Sequence, residues 1–302
     1  MTKKRHSESV LSDLRDEWWS IDYLELIAER LELASCTAAL DVGCGQGHWG
    51  QRLLTMLSRE ATLVGVDQES DWVAHASERA ETLGLASRCD FQTASAETLP
   101  FDDNRFDLVT CQTLVMHVAS PEVVLREMLR VLKPGGRLLL AEPSNLPNQF
   151  STDSLNRALS PEDLTEMAYL FICCSRGRAN LGRGDDSIAD VLPQMMRTLG
   201  ANDIRIFQNE RTSAVVPPYS EAVRGQLEEE IGHEKRGFWL WDRADALALY
   251  TAGGGAVDRF EVAYEIFLGR SKAFEEQVEA GTYSRVGGGH HYLFAARGPE
   301  AG

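Results

Sequence analysis

The 302-residue chain predicts an α/β fold built around a parallel sheet, and two observations support this prediction. Short apolar runs alternate with helical patterns from residue 38 to about 142, which is typical of parallel strands joined by right-handed crossovers. The first apolar run, 38–42, passes directly into a turn with glycine at 43, 45 and 47. Because glycine has no Cβ and tolerates positive φ, a ligand can lie directly against the backbone of such a turn.

The other elements follow in order along the chain. A helix is predicted over His48–Arg59, because Trp49, Leu53 and Met56 fall on one face. Ser120 and Pro121 mark the start of another helix, and Gly200 marks the end of a helix from about Ser187 to Leu199. Further strands are predicted at 62–67, before 94, at 106–112, 138–142, 204–207 and 291–296.

The glycine turn fits two kinds of nucleotide ligand. Gly45-x-Gly47-x-x-Gly50 matches the dinucleotide fingerprint, in which an acid about 20 residues further on holds a ribose. Asp67 satisfies that requirement, but Asp41, just before the glycines, suits a cationic amino-acid group better than a pyrophosphate. The segments 94–101 and 106–112 do not fit an NAD site.

Five motifs in this order and spacing resemble the class I S-adenosylmethionine-dependent methyltransferases, a family that includes quinone-biosynthesis C-methyltransferases and many natural-product enzymes. The motifs lie between residues 38 and 142, at 41–47, 62–68, 94–101, 106–112 and 132–142. The resemblance implies a Rossmann-like, seven-stranded, mostly parallel sheet with an antiparallel last strand and helices on both faces. It also implies S-adenosyl-L-methionine as cofactor and S-adenosyl-L-homocysteine as product.

The resemblance assigns cofactor contacts by motif position. It implies that the glycine turn lies against the cofactor backbone, with Asp41 near the amino-acid end and Asp67 accepting from the ribose hydroxyls. Many relatives carry Asp where this chain has Ser95, so the usual hydrogen bond to the adenine amine is in question. The complete set of implied cofactor residues is Asp41, Gly43, Gly45, Gly47, Asp67, Gln68, Ser95, Ala96, Cys111 and Gln112.

The candidates for proton transfer are fewer. Some sugar-modifying relatives carry two adjacent histidines where this chain has Met116 and His117, and methionine cannot take a proton. His117 is therefore either a base or a structural histidine at a helix entry. Glu142, at the end of the fifth strand and just before Pro143, either orients an acceptor hydroxyl or amine or makes a loop-ordering hydrogen bond.

Two further histidines, His290 and His291, follow a glycine run, and on a strand only one of them can face the pocket.

Three segments lie outside the predicted core. We expect one domain over residues 1–302, with a core at about 38–142, 186–207 and 290–297. The segments 1–37, 143–185 and 208–289 are expected to form a helical cap, because the fifth and sixth strands of such a sheet end at its ligand-binding edge. The alternatives are that they cover other surface or form a homodimer interface.

Composition limits the partners. The formal net charge is −16, and the short basic run Lys3–His6 is the only basic patch, so nucleic acid is an improbable substrate. The six cysteines lack metal-ligand spacing, and no apolar run reaches the length of a membrane span, so we expect a cytoplasmic protein without metal.

The predicted function is methyl transfer to a small molecule in a capped pocket, mainly by proximity and orientation. The alternatives are a methyltransferase whose protein or peptide substrate docks on the N-terminal and inserted helices, and a cofactor-binding protein without transferase activity.

Overall fold

The computed structural model describes residues 15–16, 18–147, 153–212, 214–238, 241–287 and 290–300. Contacts within the chain define two compact units. The first, which we call the sheet unit, comprises the described residues up to 143, 188–211 and from 291 onwards. The second, the helical unit, comprises the described residues of 144–187 and 212–290. The basic run Lys3–His6 lies outside the described residues.

The sheet has seven strands in the order β3-β2-β1-β4-β5-β7-β6. β1 pairs in parallel with β2 and β4, β2 with β3, and β4 with β5, whereas β6 and β7 pair antiparallel. The predicted Rossmann-like fold is therefore confirmed. The strands are β1 (Ala38–Val42), β2 (Thr62–Asp67), β3 (Cys89–Thr93), β4 (Phe106–Gln112), β5 (Leu132–Ser144), β6 (Asn202–Gln208) and β7 (His290–Arg297).

Nine α-helices lie within the described residues. They are α1 (Ile21–Arg30), α2 (His48–Leu54), α3 (Ser70–Thr82), α4 (Pro121–Val131), α5 (Pro161–Asn180), α6 (Leu192–Thr198), α7 (Glu221–Glu234), α8 (Arg243–Ala252) and α9 (Val257–Glu279). Two predicted helix bounds were wrong. The helix predicted over 48–59 ends at Leu54, and the helix predicted over 187–199 is a 3₁₀ turn at Ile188–Asp190 followed by α6.

The start signals of two helices differ in detail. Ser160 caps α5, because its Oγ accepts the Asp163 backbone N–H at 3.0 Å. Ser120 precedes Pro121 at the start of α4 but makes no side-chain capping bond. Proline at the first helical position is sufficient there, since its missing N–H would have had no partner within the helix.

Helix α1 belongs to the sheet unit. Its Leu24 and Ile27 are buried in one apolar cluster with Trp49 of α2, Leu139 of β5 and Leu293 of β7. Burial of such a stripe stabilises the helix on the sheet, because isolated helices of this length are marginal in water. The sequence pattern grouped residues 1–37 with the segments 143–185 and 208–289 as a helical cap. Whether any of the three segments covers the site remains a prediction.

The helical unit is held by close contact between α5 and α8. A Cβ added at Gly177 would collide with the Leu249 carbonyl, and one added at Gly253 would collide with the Cys173 carbonyl. Cys173 and Cys174 are buried in this contact, as expected for small apolar residues. Within the described residues, no three His, Cys, Asp or Glu side chains are grouped to hold a metal, and no helix is long and apolar enough to span a membrane.

Candidate functional site

The glycine turn connects β1 to α2 at the carboxyl edge of the sheet. Gly43, Gly45 and Gly47 have φ values of 67°, 51° and 81°, a backbone region that favours glycine. A Cβ on Gly43 would lie 2.7 Å from Leu114 Cδ1, whereas a Cβ on Gly45 would meet nothing within 4 Å. The turn therefore needs glycine for its backbone shape, and at Gly45 it faces open space.

Asp41 lies at the end of β1, immediately below this turn. Its side chain is buried, and Oδ2 accepts the Gly50 backbone N–H at 3.0 Å. Oδ1 is also buried and has no hydrogen-bond partner. Burial raises the pKa of Asp41 to about 8, although the Gly50 hydrogen bond opposes this shift and the nearby Asp67 adds to it. A cation beside Oδ1 would reduce the free-energy cost of burying the charged carboxylate.

A cavity opens beside Asp41. Residues of the β1–α2 turn, the end of β4 and the chain before α1 line it, among them Arg15, Asp41, Gly43, Gln46, His48 and Gln112. Gln112 is buried, and its Nε2 has no acceptor. Buried polar atoms without partners are rare in proteins and require an explanation. Asp41 and Gln112 both line this cavity, and each has one buried polar atom without a partner. An unpaired carboxylate oxygen and an unpaired amide donor suit the ammonium and carboxylate of an α-amino acid, the group at one end of S-adenosylmethionine.

Asp67 ends β2 next to the turn. Its Oδ2 accepts the Gly45 N–H at 2.9 Å, and its Oδ1 accepts the Glu69 N–H at 3.0 Å. Each carboxylate oxygen has two lone pairs, so both keep capacity for another donor such as a ribose hydroxyl. Gln68, the next residue, is exposed.

The predicted adenine-edge residues have local partners. Ser95 is exposed, and its Oγ accepts the Glu97 backbone N–H at 3.2 Å. Ala96 packs against the apolar cluster of the sheet unit. Neither residue is among those that line the cavity beside Asp41. Their contact with adenine remains a prediction.

Glu142 is fully buried at the end of β5 and ties down the loop after β4. Its Oε1 accepts the backbone N–H groups of Leu114 at 2.8 Å and Val115 at 2.7 Å, and Oε2 accepts that of Met116 at 3.4 Å. Burial raises the pKa of Glu142 to about 7, and these backbone bonds oppose the shift. Glu142 thus makes loop-ordering hydrogen bonds, as one of its two interpretations held, and the loop that it orders is 114–116.

Cys111 supports the same loop from β4. Its Sγ lies 3.8 Å from Glu142 Oε1 as a donor, and burial raises the pKa of the thiol well above its usual range. The residue is fully buried, and of the two β4 residues in the implied cofactor set only Gln112 lines the cavity.

The histidines lie in different places. His117 ends the 3₁₀ turn Val115–His117 and is exposed, whereas Met116 beside it is buried. The His291 ring centroid lies 5.2 Å from that of Trp18. The side chain of His290 lies outside the described residues.

Three cavity residues outside the glycine turn were not among the predicted site residues, namely Arg15, His48 and Trp49. His48 directly follows the glycine turn, so its position could have been a signal. Arg15 stands in a segment without a motif and precedes the first helix, and no pattern in the sequence indicates that it enters the cavity.

Comparison with known proteins identifies the family of the domain. A family model described as a methyltransferase domain matches residues 33–185, just over half of the chain. The methyltransferase GfsG of Streptomyces halstedii is 36% identical over 120 residues, which are 39% of this chain and 42% of that protein. A ubiquinone/menaquinone biosynthesis C-methyltransferase, UbiE of Bartonella quintana, is 40% identical over 107 residues, 35% of this chain and 41% of that protein. The chain spans less than half the length of either relative.

A solved structure is similar over most of the chain. The [4+2]-cyclase SpnF superposes with a TM-score of 0.50 at 22% identity, covering 93% of this chain and 82% of that one. This likeness shows the fold, and a fold by itself does not fix the reaction.

Proposed function

Because this chain belongs to the class I S-adenosylmethionine-dependent methyltransferase family, we propose that it transfers a methyl group from this cofactor to an oxygen, nitrogen or carbon atom of a small-molecule acceptor. The observation that supports this proposal most directly is the cavity in which Asp41 Oδ1 and Gln112 Nε2 have no partner. These two atoms would pair with the charged groups at the cofactor's amino-acid end.

The cofactor supplies a methyl group that is already activated by a sulfonium. The protein then has to align the acceptor with that methyl and exclude water. In this proposal Asp41 and Gln112 hold the amino-acid end, Asp67 holds the ribose, and Gly45 leaves room for close approach to the backbone. The loop 114–116, which Glu142 fixes, follows Cys111 and Gln112 at the end of β4.

The proposal of a small-molecule acceptor rests on the net charge of the chain and on the names of its relatives. A formal net charge of −16 disfavours nucleic acid, whose phosphates need basic side chains to displace counterions. One relative is a quinone-biosynthesis C-methyltransferase by name, which makes small cyclic acceptors a reasonable first panel. We propose that the segments 143–185 and 208–289 cover the acceptor, so their amide hydrogen exchange should slow when cofactor and acceptor bind.

Isothermal titration tests the cofactor assignment. We expect S-adenosylhomocysteine to bind in the micromolar range and NAD(H) to give no heat. Asp67→Ala should weaken S-adenosylhomocysteine by about 1.5–3 kcal/mol, because hydrogen bonds to a charged group would be lost. Asp90→Ala is the matched control, and its expected effect is small because Asp90 on the neighbouring strand β3 is exposed and is not among the residues assigned to the cofactor. Preferential binding of NAD(H) would overturn the proposal.

A further inference from the structure

The chain leaves β4 in a strained backbone conformation. Thr113, the residue after this strand, has a φ of 49°. A β-branched residue rarely adopts this left-handed region, and it persists there only where the surrounding structure holds it. The Thr113 N–H still donates to the Ala141 carbonyl of β5 at 2.8 Å, so the strain lies at the last bond between the two strands. The loop 114–116 that follows therefore needs a partner that fixes it.

Glu142 is that partner. Its two carboxylate oxygens accept the backbone N–H groups of three consecutive residues of the loop, and the Cys111 thiol is a further donor to Oε1. The side chain is fully buried, and a buried carboxylate is costly unless such donors surround it. Hydrogen bonds to a charged acceptor are also stronger than bonds between neutral groups. One acid on β5 thus holds the whole loop after β4.

The same loop packs against the glycine turn. A Cβ added to Gly43 would lie 2.7 Å from Cδ1 and 3.3 Å from Cβ of Leu114, so the Leu114 side chain covers Gly43. Gly43 lines the cavity beside Asp41, whereas neither Leu114 nor Glu142 is among the residues that line it. All of these residues belong to the sheet unit. A series of contacts therefore runs from Glu142 through Leu114 to the backbone of the turn.

We propose that Glu142 is a positioning residue for the cofactor: it holds the loop 114–116 so that Leu114 stays packed on Gly43, and it thereby fixes the shape of the glycine turn. Glu142 does this without touching the cofactor, because both of its oxygens already accept from the loop. This inference rests on the proposed function, since it concerns the turn at which the cofactor would bind.

Isothermal titration with S-adenosylhomocysteine tests the role of Glu142. Glu142→Leu removes every acceptor of the loop and should weaken S-adenosylhomocysteine by about 5- to 20-fold, within the range of couplings between residues in contact. Glu142→Gln keeps a carbonyl oxygen for the Leu114 and Val115 N–H groups, so its loss should stay below about threefold. Leu114→Ala removes the packing on Gly43 and should weaken binding as much as Glu142→Leu does.

The two positions should not act independently. In a Leu114→Ala background, Glu142→Leu should add less than about twofold, the result expected when one residue acts through the other. Asp107→Leu is the matched control, because the Asp107 carboxylate accepts the backbone N–H groups of Thr37 and Ala38, both at 3.0 Å, near the opposite end of β4. It should lower the melting temperature and leave the affinity for S-adenosylhomocysteine within about twofold. Circular dichroism melting establishes that each variant is folded.

Amide hydrogen exchange follows the loop itself in the protein without cofactor. Exchange over 113–117 should accelerate in Glu142→Leu, because three N–H groups lose their acceptor, and it should stay near the wild-type rate in Asp107→Leu. This measurement separates release of the loop from a general loss of stability, which would accelerate exchange in both variants.

Unchanged affinity in a folded Glu142→Leu overturns the inference. If Glu142→Leu does not fold, Leu114→Ala decides, and unchanged affinity there overturns the inference as well. Additive effects of the two substitutions, or an equal loss of affinity in Asp107→Leu, also overturn it. A wild-type protein that does not bind S-adenosylhomocysteine overturns the proposed function and the inference with it, and is thereby distinguished from the other outcomes.

Discussion

Two aspartates with little exposed surface, one in each unit, are paired very differently. Asp153 in the helical unit accepts the backbone N–H groups of Leu155 and Asn156 through Oδ1, and Arg270 and the Tyr283 hydroxyl donate to its Oδ2. Asp41 in the sheet unit has one donor, the Gly50 N–H, on Oδ2 and none on Oδ1. Side-chain exposure is 9% for Asp153, and Asp41 is 1% exposed, so burial does not explain the contrast.

The difference separates a structural carboxylate from one that is available to a ligand. Asp153 brings its own cation, Arg270, which also contacts Asn156 at 2.8 Å and Glu234 at 3.0 Å. Such a network holds α9 to the chain around 153–156. A buried carboxylate with an unpaired oxygen costs free energy of folding, and proteins retain that cost where a ligand relieves it.

Substituting the two aspartates should lower different quantities, stability for Asp153 and cofactor affinity for Asp41. These are the largest effects that we expect. Asp153→Ala should lower the free energy of unfolding by about 3 kcal/mol, because Arg270 then loses a buried partner. Asp41→Asn should weaken S-adenosylhomocysteine by about 100-fold or more, because an amide cannot neutralise an ammonium. For both variants, urea denaturation measures the free energy of unfolding and isothermal titration measures the affinity for S-adenosylhomocysteine. The contrast fails if Asp153→Ala impairs binding as much as Asp41→Asn does.

The pH dependence of binding should depend on Asp41. Its pKa of about 8 means that the carboxyl is largely protonated at pH 7 before the cofactor binds. An ammonium beside it favours the charged form, so binding should release a proton, and affinity for S-adenosylhomocysteine should rise between about pH 6 and 8. Titrations in buffers of different ionisation enthalpy measure the released proton. Asp41→Asn should abolish this dependence, and a flat profile in the wild type would contradict it.

Without cofactor, the free energy of unfolding should fall as pH rises, whereas the affinity for S-adenosylhomocysteine rises. Because the folded pKa of Asp41 lies above the unfolded value of about 3.9, the favourable contribution of the neutral carboxyl is complete below about pH 4 and is lost as pH rises through about 8.

The histidines should have the smallest effects. His117 is exposed, and the His291 ring lies 5.2 Å from the Trp18 ring in a tilted arrangement. The proposed methyl transfer relies on proximity and orientation rather than on a base. Loss of a general base typically costs about 10²- to 10⁴-fold in rate. We expect His117→Ala, His290→Ala and His291→Ala each to lower kcat by less than about 10²-fold. A loss of about 10³-fold in one variant, with unchanged affinity for S-adenosylhomocysteine, would identify that histidine as the base and refute catalysis by proximity alone.

The sequence predicted the sheet and the glycine turn because both depend on short-range patterns. Alternating apolar segments identify parallel strands, and Gly43, Gly45 and Gly47 adopt the positive φ that such a turn needs. The role of Glu142 was left open, since an acid at a strand end can face a ligand or a loop, and only the structure shows three backbone N–H groups around it.

Arg15 and the placement of α1 could not be predicted for a different reason. An apolar stripe indicates that a helix is buried but not which surface it covers. The hydrogen bonds of Asp16, the residue after Arg15, join it to His48 and Arg79, more than 30 positions away, and single charged residues carry no periodic signal.

The order of strands in the sheet has a consequence for synthesis of the chain. β7 lies between β5 and β6, yet it is made after both and after the whole of 145–289. During translation one edge of β5, with its run of Leu138, Leu139 and Leu140, has no strand to pair with until β7 emerges. Unpaired apolar strand edges readily join other chains, and closing so long a loop slows the pairing. Nascent chains stalled before β7 should therefore depend strongly on chaperones.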